Sequence, residues 1–418
     1  MQQSKALQYL QSGRNVFVTG PAGSGKTFVL NDFIQWAKHA GKKIAVTASS
    51  GIAATHLGGV TIHSWSGLGI TDRISEYALD GLLQKQHLHK RFTTTDVLII
   101  DEISMFDADR LDSVDLILRT IRNNSTPFGG MQVVLSGDFF QLPPITRGSV
   151  PAKFAFEAKV WQELNLVICY LDIVYRQSDD PLLTILEEIR SSTVTEQTIE
   201  QLQARLDEPL PKHLTPTRLY THNVDVDKMN MEKLFTLPGE QKNFHMTSSG
   251  KKDQVIQLKK YCMAPEELCL KKGAVVMCVK NNPKAGYVNG TLGTVIDFGF
   301  DAVEIKTSNK KILTLHPESW VIENDGKKIA QISQLPLRLA WAITVHKSQG
   351  MTLDEVEVDL SKSFAPGMGY VALSRVRTLR GLFLRGMNQR ALLVEPRITE
   401  QDQFFLNASE SNTTSSTS

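Results

Sequence analysis

Gly20-Pro-Ala-Gly-Ser-Gly-Lys26-Thr27 is the stretch on which the reading of this 418-residue chain turns. It fills every fixed position of the pattern Gly, four residues of any kind, Gly-Lys-Ser/Thr. Its context agrees, because Val16 to Thr19 reads as a short buried strand and Lys26 to Lys38 as a helix. Glycines let backbone N–H groups turn inward around phosphate oxygens, and the positive end of the following helix faces the same anion. Gly20, Ala22, Gly23, Ser24 and Gly25 would form the cradle, Lys26 would reach the terminal phosphates, and the Thr27 hydroxyl would ligate magnesium. A purely structural glycine turn would explain neither the Lys-Thr pair nor the strand before it.

Working outward, three more apolar strands are predicted, each running into a polar loop. Lys43 to Thr47 leads into Ala-Ser-Ser-Gly, Val97 to Ile100 into Asp101-Glu102, and Gln132 to Leu135 into Ser136-Gly-Asp-Phe-Phe-Gln-Leu-Pro-Pro144. Strands alternating with helical spans indicate a parallel α/β sheet, whose ligands bind beyond the carboxyl ends of its strands. Consecutive residues leaving a strand point in different directions, so Asp101 and Glu102 divide the work. Asp101 is assigned to magnesium, and Glu102 to orienting the water that attacks the γ-phosphate of ATP. Gln141 is placed to read that phosphate, although an amide in a proline-bounded loop could equally cap its own turn.

Composition bounds the class. With 41% hydrophobic and 22% charged residues and no apolar run of about 18, the chain is not expected to cross a membrane. Cys169, Cys262, Cys269 and Cys278 lack the spacing of a zinc site or a disulfide framework, which suggests reduced thiols in a cytoplasmic setting. No targeting segment is visible. A formal net charge of +2 neither demands nor excludes a nucleic-acid partner, so local patterning has to decide.

From about residue 178 a second lobe begins, with an amphipathic helix over Pro181 to Arg190. Leu339 to Gly350 again runs from an apolar strand into a polar loop, and Val356 to Leu360 and Gly381 to Arg385 supply further strands. Ser374-Arg375-Val-Arg377 is predicted to lie on a helix. Arg375 and Arg176 are candidates for neutralising the transition state, an effect worth about 10³ to 10⁵ in rate for an arginine finger. Each could also be an ordinary surface ion-pair partner. Residues 255 to 330 read as a small antiparallel barrel, with a hairpin over Val303 to Leu315. Hydroxyls, amides, cations and flat rings that could hold single-stranded DNA occur at Thr47, Ser49 and Ser50, at Thr61, His63, Ser64 and Trp65, and at His346 and Lys347. Stacking by His63 or Trp65 would be worth about 1 to 3 kcal/mol per base. Core packing is the alternative for Trp65.

These motifs, together with Thr344 to Gly350, Tyr370 to Arg375 and the stretch Asp107 to Gln132 that contains Pro127-Phe-Gly-Gly-Met, resemble the petite-integration-frequency (PIF) family of DNA helicases. This family lies in the RecD-like branch of helicase superfamily one. The resemblance implies two RecA-like P-loop motor domains, at 1–177 (with a wedge insertion at about 70–92) and at 178–254 with 331–403. It also implies an SH3-like β-barrel insertion at 255–330, and a tail at 404–418 is expected to be disordered. ATP and Mg2+ would be the cofactors, with Gln3 reading adenine and Gln349 and Gly350 completing nucleotide contacts. Thr344 would join the DNA-lining residues. Implied partners are single-stranded DNA and forked or structured DNA such as a G-quadruplex, bound by a protein that is a monomer when free and works at the nucleoid if prokaryotic. Movement would be 5′ to 3′. The alternatives are another RecD-like helicase, a translocase without strong unwinding, and a P-loop switch that does not translocate.

Overall fold

The computed structural model describes residues 1–69, 73–144, 153–173, 180–210, 216–220, 226–307, 310–324, 327–345, 348, 351–363 and 366–414. The chain divides into two compact units, Met1–Arg176 with Pro396–Ser418, and Gln177–Glu395.

The first unit is an α/β layer structure. In chain order it runs α1 (Gln3–Gln11), β1 (Val16–Thr19), α2 (Lys26–His39), β2 (Ile44–Ala48), α3 (Gly51–His56), β3 (Val60–Thr61) and α4 (Ile62–Ser66). It continues with α5 (Glu76–Leu83), α6 (Gln86–Thr94), β4 (Val97–Asp101), α7 (Ala108–Arg122), β5 (Gln132–Ser136), α8 (Lys159–Glu163) and β6 (Val167–Tyr170). The six strands form a sheet in the order β3-β2-β4-β5-β1-β6, and every pairing is parallel. β1, β4, β5 and β6 are buried along their whole length, as expected for a parallel sheet with both faces covered. The helices bury one stripe each. In α2 the side chains of Val29, Leu30, Phe33, Ile34 and Ala37 return at helical spacing, and each large one contributes about 1.5 to 3 kcal/mol by leaving water.

The predicted strand–loop–helix around Gly20 is present, with the helix ending one residue later than expected, at His39. β3 and β6 were not anticipated. The expectation of a disordered tail is overturned for 404–414, while 415–418 lie outside the described residues: Pro396–Thr414 is helical, and Phe405 on it is 1% exposed within the first unit. The Ser/Thr-rich composition is outweighed by tertiary contacts, including Tyr9 O–H donating to the Asn412 carbonyl at 2.6 Å.

The second unit contains a four-stranded parallel sheet in which Thr217–Tyr220 lies between Ala342–Thr344 and Val356–Leu360, with Leu382–Met387 at one edge. A separate five-stranded antiparallel sheet orders Ile312–Leu315, Val303–Thr307, Leu292–Phe298, Val275–Cys278 and Leu337–Leu339. It includes the expected hairpin. The barrel boundaries need correction on two counts: Lys252–Tyr261 is a helix, and Leu337–Leu339 pairs with Val275–Cys278 beyond the assigned limit of 330. Ser374–Arg377 is not helical either. The helix Met368–Leu373 stops before it, because Val376 makes a parallel bridge to Leu353.

The four cysteines are free thiols, and burial pushes Cys169 and Cys278 up to about 12, which makes them poor nucleophiles. Among the described residues no helix is long and apolar enough to cross a membrane.

Candidate nucleotide and nucleic-acid sites

β1 delivers the chain to Gly20, whose φ of +138° is closed to most side chains and whose added Cβ would lie 2.3 Å from the Leu171 carbonyl oxygen. The loop then turns through Gly25 at φ +89° into α2. A Cβ at Gly25 would meet Gln3 Nε2 at 2.0 Å, and that same nitrogen donates to the Ser24 carbonyl at 3.1 Å. Gln3, the first residue of α1, is therefore docked on the loop. Lys26 Nζ donates to the carbonyls of Gly20 at 2.8 Å and Pro21 at 3.0 Å, so its ammonium lies over the cradle. Ala22 and Gly23 complete the turn, and Thr27 is exposed on the first turn of α2.

β4 delivers the carboxylates. Asp101 is buried, and burial pushes its pKa up, while the Ser136 hydroxyl, the Glu102 amide and the Lys26 charge pull the other way. Glu102 adopts the left-handed conformation, φ 53° and ψ 45°, at a cost of about 1 to 2 kcal/mol for a non-glycine residue. That turn separates the two acids, leaving Asp101 inside and Glu102 half-buried. Gly137 passes so near Ile103 that a Cβ there would lie 3.0 Å from the Ile103 nitrogen, which ties the loop after β5 to the acid turn. Asp138, which is fully buried, accepts from the Phe140 N–H at 3.2 Å and from Gln141 Nε2 at 3.3 Å. Sequence reasoning passed over Asp138. Its signal was a charged residue between a buried strand and two phenylalanines.

The donors available for a metal are oxygens, the Thr27 hydroxyl and the Asp101 carboxylate, which suit a hard divalent cation. Among the described residues there is no group of three or more His, Cys, Asp or Glu side chains able to hold a metal ion. The protein would thus supply part of a coordination shell that phosphate oxygens and water complete, which fits magnesium.

The candidate DNA residues separate into two sets. Ser49 donates its hydroxyl to the Glu102 carbonyl at 2.6 Å and its N–H to the Asp101 carbonyl at 3.0 Å, so the end of β2 is fastened to the acid turn. Ser50 Oγ accepts from Ala53 N–H at the start of α3, and Ser64 on α4 is exposed. His63 is half-buried against Phe106, with ring centroids 5.2 Å apart, and burial together with nearby Arg110 lowers its pKa to about 4. It is neutral at physiological pH and offers a ring rather than a charge. Thr47 and Trp65 fit the expectation poorly. Thr47 is fully buried and donates to the Ile99 carbonyl at 2.6 Å, while Trp65, 6% exposed, packs on Phe92 at 4.9 Å. Trp65 is used as core, and stacking by its ring is corrected accordingly. Thr61 caps α4 by accepting from Ser64 N–H.

In the second unit Thr344 ends a strand and is half-buried. Arg375 is 2% exposed, and its guanidinium donates to the Val371 carbonyl at 3.1 Å and to Ser374 Oγ at 2.9 Å. Arg176, His346, Lys347, Gln349 and Gly350 lie outside the described residues.

The stretch Asp107 to Gln132 forms a clamp. Asp115 Oδ1 accepts from Phe128 N–H at 2.6 Å, and Arg122 donates to the Gly129 carbonyl at 2.7 Å and the Thr95 carbonyl at 3.1 Å. This fixes Phe128, which has a left-handed φ of 52°, and joins α7 to the end of α6.

A model of the PIF1-like helicase family matches residues 2–193, and one for the DNA helicase Pif1 2B domain matches residues 256–298. The chain is 41% identical to the ATP-dependent DNA helicase Pif1 of Psychrobacter sp. (strain PRwf-1), over 97% of this chain and 71% of that protein. It is 36% identical to the Homo sapiens ATP-dependent DNA helicase PIF1, over 95% of this chain and 62% of that protein. It therefore spans a little under two thirds of the human relative's length. Among solved structures it is similar to Bacteroides sp. Pif1 in complex with ADP-AlF4, with TM-score 0.81 and 31% identity over 97% of this chain and 96% of that one. The Bacteroides Pif1 helicase in complex with ADP-AlF3 and ssDNA gives TM-score 0.62 and 32% identity over 97% and 96% of the two chains.

Proposed function

The chain belongs to the PIF1-like helicase family, and we propose that it is an ATP-dependent DNA helicase that moves 5′ to 3′ on single-stranded DNA and opens the duplex or structured DNA it meets. The observation that carries this reading is the pair of hydrogen bonds from Ser49 to both residues of the Asp101–Glu102 turn. One side of that turn faces nucleotide chemistry, and the other fastens a loop of hydroxyls suited to phosphates of a strand. A change in the turn on hydrolysis would be passed through these bonds to that loop.

The roles proposed are those that the family resemblance implies. Lys26 and the loop amides hold the phosphates, and Gln3 holds the base. Thr27 and Asp101 would hold magnesium, which when bound neutralises charge on the phosphate oxygens. Glu102 orients water, Gln141 contacts the γ-phosphate, and Arg375 and Arg176 neutralise charge in the transition state. Gln349 and Gly350 add nucleotide contacts. Ser49, Ser50, His63 and Ser64, with Thr344, His346 and Lys347, track the DNA strand. Forks and folded structures such as G-quadruplexes are the obstacles such a motor would clear, acting as a monomer when free and, in a prokaryote, in the cytoplasm at the nucleoid.

The test is phosphate release by the full chain at saturating ATP and magnesium, with and without oligo(dT). Oligo(dT) is expected to raise the rate, by about tenfold for each ~1.4 kcal/mol that bound DNA takes off the barrier. Equal rates in both conditions would favour a nucleotide switch that does not translocate.

A further inference from the structure

The C-terminal helix Pro396–Thr414 inserts Phe405 among the aromatics behind the nucleotide loops. Its ring meets Phe17 edge-on at 5.0 Å and lies nearly parallel to Phe139 at 6.1 Å, with 25° between the planes. Phe17 lies on β1, which runs into Gly20. Phe139 stands between Asp138 and Gln141, and it is held on its other sides by Phe156 at 4.9 Å and Trp161 at 6.0 Å. Asp138 accepts from Gln141 Nε2 at 3.3 Å, so Phe139 lies inside the short turn that this bond closes. Packed aromatics of this kind occupy discrete arrangements rather than deforming smoothly.

The helix is pinned on both sides of Phe405. Tyr170 O–H donates to Asp402 Oδ2 at 2.9 Å, and Tyr170 N–H donates to Ser409 Oγ at 3.0 Å. Asn412 Nδ2 donates to the Ile168 carbonyl at 3.3 Å. These bonds also cover the edge of β6, as an exposed sheet edge requires. Covering the edge does not call for a buried ring aimed at the loop after β5.

We propose that Phe405 is a positioning residue for ATP hydrolysis, holding the Asp138–Gln141 turn in register through Phe139. The last helix of the chain is then part of the hydrolytic apparatus although it touches no reacting atom. The proposal rests on reading Gln141 as the γ-phosphate contact.

The experiment uses the full chain as wild type, Phe405→Ala, Phe405→Leu, Gln141→Ala and the Phe405→Ala/Gln141→Ala double variant. It measures kcat for phosphate release with saturating oligo(dT), and mant-ADP affinity by fluorescence titration. Misplacing a catalytic group by about 1 Å costs up to roughly 100-fold, so Phe405→Ala is expected to lower kcat by about 10- to 100-fold. Its mant-ADP Kd should stay within about twofold of wild type. Phe405→Leu should recover most of the rate, and the double variant should be no slower than the slower single one. Full turnover by Phe405→Ala beside an impaired Gln141→Ala would overturn this proposal alone, as would parallel losses of kcat and affinity with multiplicative effects in the double variant. Full turnover by Gln141→Ala would overturn the reading of Gln141 and the proposal with it. Should Phe405→Ala fail to fold, Phe139→Leu probes the same contact from the other side. A loss of kcat with affinity retained supports the proposal, and any other result overturns it.

Discussion

Lys26→Ala is expected to abolish ATP-driven unwinding and to lower phosphate release by about 10³-fold, the upper range for removing one preorganised charge-stabilising donor. The expectation has two parts. The ammonium now bonded to the Gly20 and Pro21 carbonyls lies over the loop proposed to hold the phosphate oxygens. Its charge also opposes the effect of burial on Asp101. Lys26 favours the charged form of Asp101, which is the better ligand for a hard cation, so its loss should also raise the magnesium concentration needed for half-maximal turnover. The fold should survive, because Lys26 is only half-buried and its replacement removes no side chain from the apolar core. Phosphate release at stepped magnesium concentrations, with a melting curve beside it, measures both parts. A variant that melts as wild type and still turns over would contradict the assignment.

Arg375→Ala is expected to suppress turnover by about 10³- to 10⁵-fold, the range for an arginine that neutralises a phosphoryl-transfer transition state, while nucleotide affinity changes far less. Its guanidinium is held by the Val371 carbonyl and Ser374 Oγ, which fix the plane of the fork. Arg375→Lys keeps the charge but not that fork, so it should recover little of the rate. The alternative is a purely internal brace at the end of the helix Met368–Leu373. In that case Arg375→Ala lowers the melting temperature, and rate and affinity fall together. Single-turnover hydrolysis and mant-ADP titration separate the two outcomes.

Much of the nucleotide site was legible in the sequence, because its chemistry is local. Gly20 to Thr27 must be contiguous to wrap a phosphate, and the strand before and the helix after it carry their own periodicities. Asp101 and Glu102 were legible as the first polar residues after a buried run, but the left-handed turn that separates their roles was not, since glutamate has no preference for it. Trp65 shows the opposite failure. A tryptophan among Thr, His and Ser reads equally as a base-stacking platform or as core, and its burial against Phe92, distant in sequence, decides for core. The C-terminal helix was missed for the same reason. Its Ser- and Thr-rich end has no intrinsic claim to order, and the partners that hold it, Tyr9, Ile168 and Tyr170, lie 232 to 403 residues away in sequence. β3, two residues long, is too short to announce itself by pattern, and β6, as short as β1, has no phosphate-loop motif beside it to mark it.

Directional movement powered by ATP is the central claim, and strand separation of tailed duplexes tests it most directly. Two duplexes of identical sequence carry a single-stranded tail at either the 5′ or the 3′ end and are mixed with the full chain, ATP and magnesium, with Lys26→Ala setting the baseline. The account predicts that the 5′-tailed duplex opens and the 3′-tailed one stays at the Lys26→Ala baseline. Equal opening of both, or opening by Lys26→Ala itself, would contradict it.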